Sequence, residues 1–262
     1  METSSICGLK MKSVPPPHEC VVDSFASELK QGERAHAAGL VLVVGWSWGS
    51  DPSTMYESMA ADMRKIDPVS LHVYEAQYLH CTIATLSSFK SARSIFYHAA
   101  SADRDRVIKT WVLALERAFE RIAGLRAFEL VFRSIESSPA ATFLGADDPS
   151  GAIEPLRTAV KEAARDPEIE ELSAELERKY GHVPNLLSLE EAIHVPDIIH
   201  STVMRHADGP SDAQGLASGL AEVKANWKPA TVTVREISLA NEGHPYMHIS
   251  RAKGEVHRFS LP

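Results

Sequence analysis

Two short runs combine a titratable imidazole with a hydroxyl two residues further on. One is Tyr78-Leu79-His80-Cys81-Thr82-Ile83-Ala84-Thr85-Leu86; the other is Ile198-Ile199-His200-Ser201-Thr202-Val203-Met204. Both are largely apolar around a central His-x-Thr. In an extended strand, residues two apart project from the same face, which sets His80 beside Thr82 and His200 beside Thr202. An imidazole takes or gives a proton near neutrality, and a hydroxyl can hydrogen-bond developing negative charge. Supplied twice, that pair suits general acid–base work on an anionic substrate.

The bare pattern His-x-Ser/Thr is weak. With 12 His, and 37 Ser and Thr, in 262 residues, about two matches arise by chance. The chain has three, the third being His248-Ile249-Ser250. Context separates the first two, which sit in β-like runs in the two halves with helical segments between them. His248 lies near the end, with no helix and strands after it to complete a second lobe. On His80, Thr82, His200 and Thr202 the sequence resembles the two-histidine (2H) phosphoesterases, RNA-ligase-like cyclic phosphodiesterases and relatives acting on RNA 3′ ends or 2′,5′-linked oligonucleotides. The resemblance spans residues 39–262 by element order. Ser201 departs from it, standing where that family usually has an apolar residue.

The resemblance implies an α+β fold of two quasi-symmetric lobes of antiparallel sheet with outer helices, the motif strands facing a central cleft. It also implies a phosphodiesterase that uses no cofactor and no metal, acting on a nucleotide or RNA-end 2′,3′-cyclic phosphate or related 2′-linked diester. His80 and His200 would be catalytic, and Thr82 and Thr202 would bind phosphate. The expected partner is a small nucleotide or RNA 3′ end. By alternation Tyr78 shares the His80 face and Met204 the His200 face, although core packing suits Met204 better. Tyr78, Trp46 and Arg205 are candidates to line the cleft; Lys90 and Arg93 could add positive charge.

The elements that must position these groups can be read in order. Residues 1–38, with Pro15-Pro16-Pro17 and no clear period, read as a flexible extension before a single domain over 39–262. Gly39–Val44 is a continuous β-branched run and so a buried strand. Asp51-Pro52 reads as a helix cap and first position, with Met55, Met59, Met63 and Ile66 on one stripe. Residues 71–74 and 79–86 read as strands. Val107, Trp111, Leu115, Phe119 and Ile122 predict a helix over 103–123 that Asp103 could cap. A hairpin over 128–144 is expected to close the first lobe's sheet. Helices over 153–164 and 168–180 follow, then the second motif strand, a helix through Leu216 and Trp227, strands over 231–237 and 246–250, and a last strand over 256–261.

Composition narrows the function classes. With 44% hydrophobic and 24% charged residues the chain is ordinary for a globular protein. A net charge of −8 argues against a grip on long duplex nucleic acid, which needs many cationic contacts. Cys7, Cys20 and Cys81 are too scattered for a disulfide framework or zinc knuckle, and Cys81 reads as a small buried residue. With no transmembrane run and no apolar leader, a soluble, reducing, cytoplasmic setting without membrane contact is expected. Two rival functions stay open. Gly45-Trp46-Ser47-Trp48-Gly49 matches a nucleophile elbow, which makes a serine hydrolase using Ser47 an alternative, but Asp51-Pro52 delays the helix that an elbow starts at its serine. A non-catalytic nucleotide-binding domain is the other. No His-Glu-x-x-His or Cys-x-x-Cys occurs, so no dedicated metal site is expected.

Overall fold

The apolar runs become strands in two sheets, each with helices on its outer face. The computed structural model describes residues 21–30, 38–46, 48–210 and 212–262. In chain order the elements are α1 (Ser24–Lys30), β1 (Gly39–Val44), α2 (Ser50–Ile66), β2 (Leu71–Val73), β3 (Cys81–Ser87), α3 (Ile95–His98), α4 (Ser101–Glu120), β4 (Phe128–Ser137) and β5 (Ala141–Asp147). There follow α5 (Ile153–Ala163), α6 (Pro167–Tyr180), β6 (His200–His206), α7 (Ala213–Asn226), β7 (Ala230–Val234), β8 (Glu236–Glu242), α8 (Arg251–Gly254) and β9 (Glu255–Ser260). Among the described residues no helix is long and apolar enough to cross a membrane.

One sheet runs β3-β1-β8-β9 and the other β2-β6-β5-β4-β7, with every pairing antiparallel. Superposing β3 on β6 matches the orders β3-β1-β8-β9 and β6-β5-β4-β7. The fold is therefore α+β with two quasi-symmetric lobes. The lobes are not the two halves of the sequence. The β4–β5 hairpin, expected to close the first motif's sheet, pairs instead with β6, through Phe143 and Thr202. The apolar run that feeds β8 returns to the first sheet, pairing Ile237 with Val44. The chain thus crosses between the lobes repeatedly, and neither sheet can form from one half alone.

Helices follow the same interleaving. The stripe of α4 buries Val107, Trp111, Leu115 and Phe119 completely or nearly so, and α4 packs on α5, α6 and β9, outside the first sheet. Helices α2 and α7 pack together on the second sheet's side, touching β2 and β7. At α6, Asp166 caps as its type and the following Pro lead one to expect, accepting the Glu168 N–H at 3.0 Å. Asp103 does not cap α4, whose N-cap is Ala100. Its carboxylate is buried and accepts from Lys179 Nζ and Tyr180 Oη, each at 2.6 Å, tying α4 to α6. Asp51 is likewise inside α2, because the helix starts one residue earlier at Ser50.

One further expectation needs correction. Residues 246–250 are not a strand: a 3₁₀ turn covers Pro245–Met247, and Tyr246 and Met247 each have φ of 57°. Within residues 1–38, the described stretch 21–30 carries α1 and is held to the end of β6 by the Asp23 N–H on the His206 carbonyl, at 2.8 Å; residues 1–20 and 31–37 lie outside the described residues.

The interleaved path has an equilibrium consequence, because each lobe needs strands from both halves of the chain. The protein should unfold in one denaturant transition, coincident by far-ultraviolet circular dichroism and tryptophan fluorescence. Trp111→Ala should shift that transition by about 3–5 kcal/mol without splitting it. Two separated transitions would show that the lobes fold independently.

Candidate active site

Both motif strands carry the same irregularity, which decides which residues beyond the His-x-Thr pairs face the cleft. Along β3, Thr82 pairs with Val43 but Ala84 with Leu42, so Ile83 is an extra residue. Along β6, Thr202 pairs with Phe143 but Met204 with Thr142, so Val203 is extra. Each bulge sits one residue after the threonine and flips the alternation from there on. Ile83 and Ala84, and likewise Val203 and Met204, are buried in succession, and the half-buried face resumes at Thr85 and at Arg205. Residue by residue, the burial of 80–86 repeats in 200–206. Strict alternation puts Met204 beside His200; the bulge sends Met204 into the core, with 0% exposure, and brings Arg205 to the cleft.

The cleft has a volume of about 430 Å³ and is lined by His80, Thr82 and Thr85 from one lobe and by His200, Thr202 and Arg205 from the other. Tyr74, Lys90, His194, Glu242 and Tyr246 complete its walls. All four residues of the two motifs therefore meet, and Arg205 joins them. Tyr78 and Trp46 do not. Tyr78 lies in a 3₁₀ turn before β3 and stacks on His248, with ring centroids 4.1 Å apart. Trp46 is 3% exposed and packs with Val41, Val43, Ala240 and Met247 in a small core beneath the cleft. Trp48 packs on Phe132 and Tyr56. Ser47 lies outside the described residues.

Both imidazoles are biased to the neutral form. Burial lowers the His80 pKa to about 4, helped by His200 and Arg205 and opposed by the Tyr78 carbonyl. That carbonyl lies 2.8 Å from His80 Nδ1. A carbonyl can only accept, so Nδ1 carries the hydrogen and Nε2 keeps the lone pair. Burial also lowers the His200 pKa, with Arg205 and Arg157 pushing the same way and the Ile198 carbonyl opposing. Among the described residues no group meets strict hydrogen-bond geometry at the buried His200 Nδ1, although the Ile198 carbonyl lies close enough to favour the charged ring, which packs edge-on against Phe143 at 5.1 Å. The approach to β6 is fixed from outside: Arg157, on α5 and 4% exposed, donates to the carbonyl of Ile198, two residues before the strand, at 2.9 Å.

Arg205 is held on three sides. Its Nε donates to Tyr74 Oη at 3.3 Å, its Nη1 lies 3.4 Å from Asp23 Oδ2, and its guanidinium carbon lies 3.6 Å from the Tyr246 ring centroid. Lys90 Nζ stands 4.5 Å from the same ring centroid. Behind this pair Glu242 is buried, and burial raises its carboxyl pKa to about 8, against the pull of the Met247 N–H, Lys90 and Arg205. Glu242 Oε1 accepts the Met247 N–H at 3.0 Å and so pins the left-handed turn that carries Tyr246. Gly39 makes room for it, since a Cβ there would come within 2.8 Å of Glu242 Oε2. Sequence reasoning missed Tyr74, Glu242 and Tyr246, none of which lies in a recognisable motif. Among the described residues no group of three His, Cys, Asp or Glu is placed to hold a metal ion.

No family model and no curated protein matches the sequence. Solved structures are similar at low identity. E. coli LigT in apo form is 14% identical with a TM-score of 0.49, over 87% of this chain and 99% of that chain. A conserved protein of unknown function from Agrobacterium tumefaciens, ATU0111, is 14% identical with a TM-score of 0.49, over 95% and 93%. TT0787 of Thermus thermophilus is 16% identical with a TM-score of 0.45, over 85% and 97%. At such identity none of these likenesses assigns a role to any residue of this chain.

The titrating groups predict the pH dependence of stability. His72, His80 and His248 have folded pKa values lowered to about 4 from 6.5, so the unfolded chain binds protons first. Their contribution is complete above pH 6.5 and is lost as pH falls towards 4. Glu242, raised to about 8 from 4.5, acts oppositely, its contribution fading as pH rises from 4.5 to 8. Thermal melting should peak near pH 6.5, fall steeply on the acid side and gently up to pH 8. Glu242→Gln should flatten the alkaline side and steepen the acid side between pH 4.5 and 6.5, where Glu242 opposes the histidines. A melting temperature constant from pH 4 to 8 would contradict the buried neutral imidazoles.

Proposed function

We propose that the cleft is the active site of a 2H-type phosphodiesterase that opens a 2′,3′-cyclic phosphate, or a related 2′-linked diester, on a small nucleotide or RNA 3′ end. One observation supports this reading above the others: two equivalent bulged strands aim a His-x-Thr pair each, plus one arginine, into the same cavity. A binding module has no need of two imidazoles brought together with separate proton-transfer capacity. In the rival hydrolase reading, the helix after β1 would begin at Ser47, whereas α2 begins at Ser50.

In hydrolysis, His80 acts as base. Its Nε2 holds the lone pair, and burial keeps the ring neutral. It takes a proton from water as that water attacks phosphorus. His200 enters the reaction protonated and gives its proton to the departing ribose oxygen. Its pKa is lowered in the free protein, so substrate must restore the charge. An anionic phosphate between the rings does this, because it stabilises an imidazolium beside it. Thr82 and Thr202 donate hydroxyl hydrogens to the non-bridging oxygens, and the Arg205 guanidinium opposes the charge that grows there. These groups are fixed before substrate arrives, so little reorganisation accompanies reaction. The scheme needs no metal, and a small substrate needs only this local positive charge on a protein of net charge −8.

Roles can be separated by leaving group. On a 2′,3′-cyclic nucleotide, His80→Ala and His200→Ala should each lose on the order of 10² to 10⁴ in kcat. On a nucleoside p-nitrophenyl phosphodiester, whose leaving group needs no acid, His200→Ala should recover most of its loss and His80→Ala should not. Equal losses on both substrates would overturn the assignment, and full activity of either folded variant would overturn the site. Activity should withstand EDTA, and loss restored by a divalent cation would require a different mechanism.

The pH profile has a stated sign. Because both free imidazoles titrate below 6.5, kcat/KM, which reports free enzyme, should peak below pH 6.5. The kcat profile, which reports the complex, should peak at higher pH. A kcat/KM maximum above pH 7 would contradict this.

A further inference from the structure

The stretch that reads from sequence as a loose extension reaches the cleft. Val21 N–H donates to the Pro139 carbonyl at 2.7 Å, Asp23 N–H to that of His206 at 2.8 Å, and Ser27 Oγ to that of Ala207. These bonds fasten residues 21–27 to the end of β6 and the β4–β5 turn. On the opposite side Phe25 packs edge-on against Phe89, 5.3 Å away, which follows β3 in the other lobe. The segment therefore spans both lobes at one end of the cleft.

Asp23 makes the functional contact. Its Oδ1 caps the short helix, accepting from Phe25 and Ala26 N–H groups at 3.1 and 3.3 Å. Its Oδ2 accepts from the Tyr246 hydroxyl and lies 3.4 Å from Arg205 Nη1. The carboxylate side chain is 10% exposed and the arginine side chain 16%, so water screens the pair poorly. A long arginine side chain loses much rotamer freedom when held in one geometry. Asp23, Tyr74 and the Tyr246 ring together remove that freedom before a ligand binds, using Nε, Nη1 and one face of the guanidinium. Among the described residues these contacts leave Nη2 unengaged by Asp23, Tyr74 or Tyr246.

We propose that Asp23 is a positioning residue for the cleft: its carboxylate sets the orientation of Arg205 and Tyr246, and anion binding depends on that carboxylate rather than on the attachment of Val21–Lys30 as such. The inference rests on the functional reading above only in the identity of the anion. The clamp itself is a claim about Arg205.

The test uses the full chain and inorganic phosphate as probe. Asp23→Asn keeps a cap oxygen for the helix but turns an amide donor toward Arg205 and Tyr246. Ser27→Ala loosens the same segment by removing a hydroxyl that bonds the Asp23 and Ala207 backbone carbonyls, and it leaves the Asp23 carboxylate in place. The Arg205 Nε–Hε resonance, assigned by its loss in Arg205→Ala, should be sharp and slow to exchange in wild type and in Ser27→Ala. It should broaden or vanish in Asp23→Asn, with phosphate affinity reduced roughly tenfold, as expected for one charge-assisted hydrogen bond. An unchanged Arg205 resonance in Asp23→Asn overturns the clamp, as does an equal loss in Ser27→Ala, which would make the effect one of attachment alone. Should Asp23→Asn not fold, Tyr246→Phe removes only the hydroxyl bonded to Asp23, and the same resonance decides. Phosphate that moves no cleft resonance in wild type would sink the phosphodiesterase reading, while the Arg205 signal would still judge the clamp.

Discussion

Two single-residue bulges govern what the cleft contains. A strand with one face on a core must alternate, and each motif strand buries Cys81 or Ser201 beneath its His-x-Thr pair. Unbroken alternation would carry Ala84 and Met204 into the cavity and send Thr85 and Arg205 into the core. The extra residue at Ile83 and at Val203 reverses this. A guanidinium in that core would lack partners at a cost of several kcal/mol, whereas Met204 there only adds to apolar packing. The bulge thus places His200, Thr202 and Arg205 together on the cleft wall of the second sheet.

Behind the cleft lies a second layer in which charge and backbone strain offset each other. Tyr246 and Met247 occupy left-handed backbone that non-glycine residues rarely adopt. The Met247 N–H on Glu242, the Tyr246 hydroxyl on Asp23 and the Arg205 guanidinium on the Tyr246 ring hold that turn in place. Remote parts of the chain meet here: the segment before β1, the end of β6, and the turn after β8. Such convergence of buried polar groups costs stability unless every partner is present.

How legible this was depended on range. The β1 run, the α4 stripe, the Asp166-Pro167 cap and the two His-x-Thr strands are local patterns, and each lies where its spacing places it. The sharing of strands between lobes is not local: the β4–β5 hairpin reads the same whether it pairs with β3 or with β6. Bulges are invisible to a period-two reading, which aligns Met204 with His200 and gives Arg205 no place on that face. Tyr78 failed as a cleft residue because β3 begins at Cys81, so alternation does not extend back through the 3₁₀ turn. Trp46 failed because the face of β1 bearing Val41 and Val43 is itself partly covered, by Met247. Asp23, Glu242 and Tyr246 lack any sequence signal, since each matters only through a neighbour far along the chain.

The central claim is that His80 and His200 act on one phosphorus. It is tested most directly by following the ¹⁵N resonances of both imidazoles while titrating inorganic phosphate at fixed pH. Both rings should respond to the same anion with one dissociation constant, and both should shift toward the protonated form, because a single phosphate restores charge that burial has suppressed. Response of only one ring, or of the two rings at separate phosphate concentrations, would contradict a shared site.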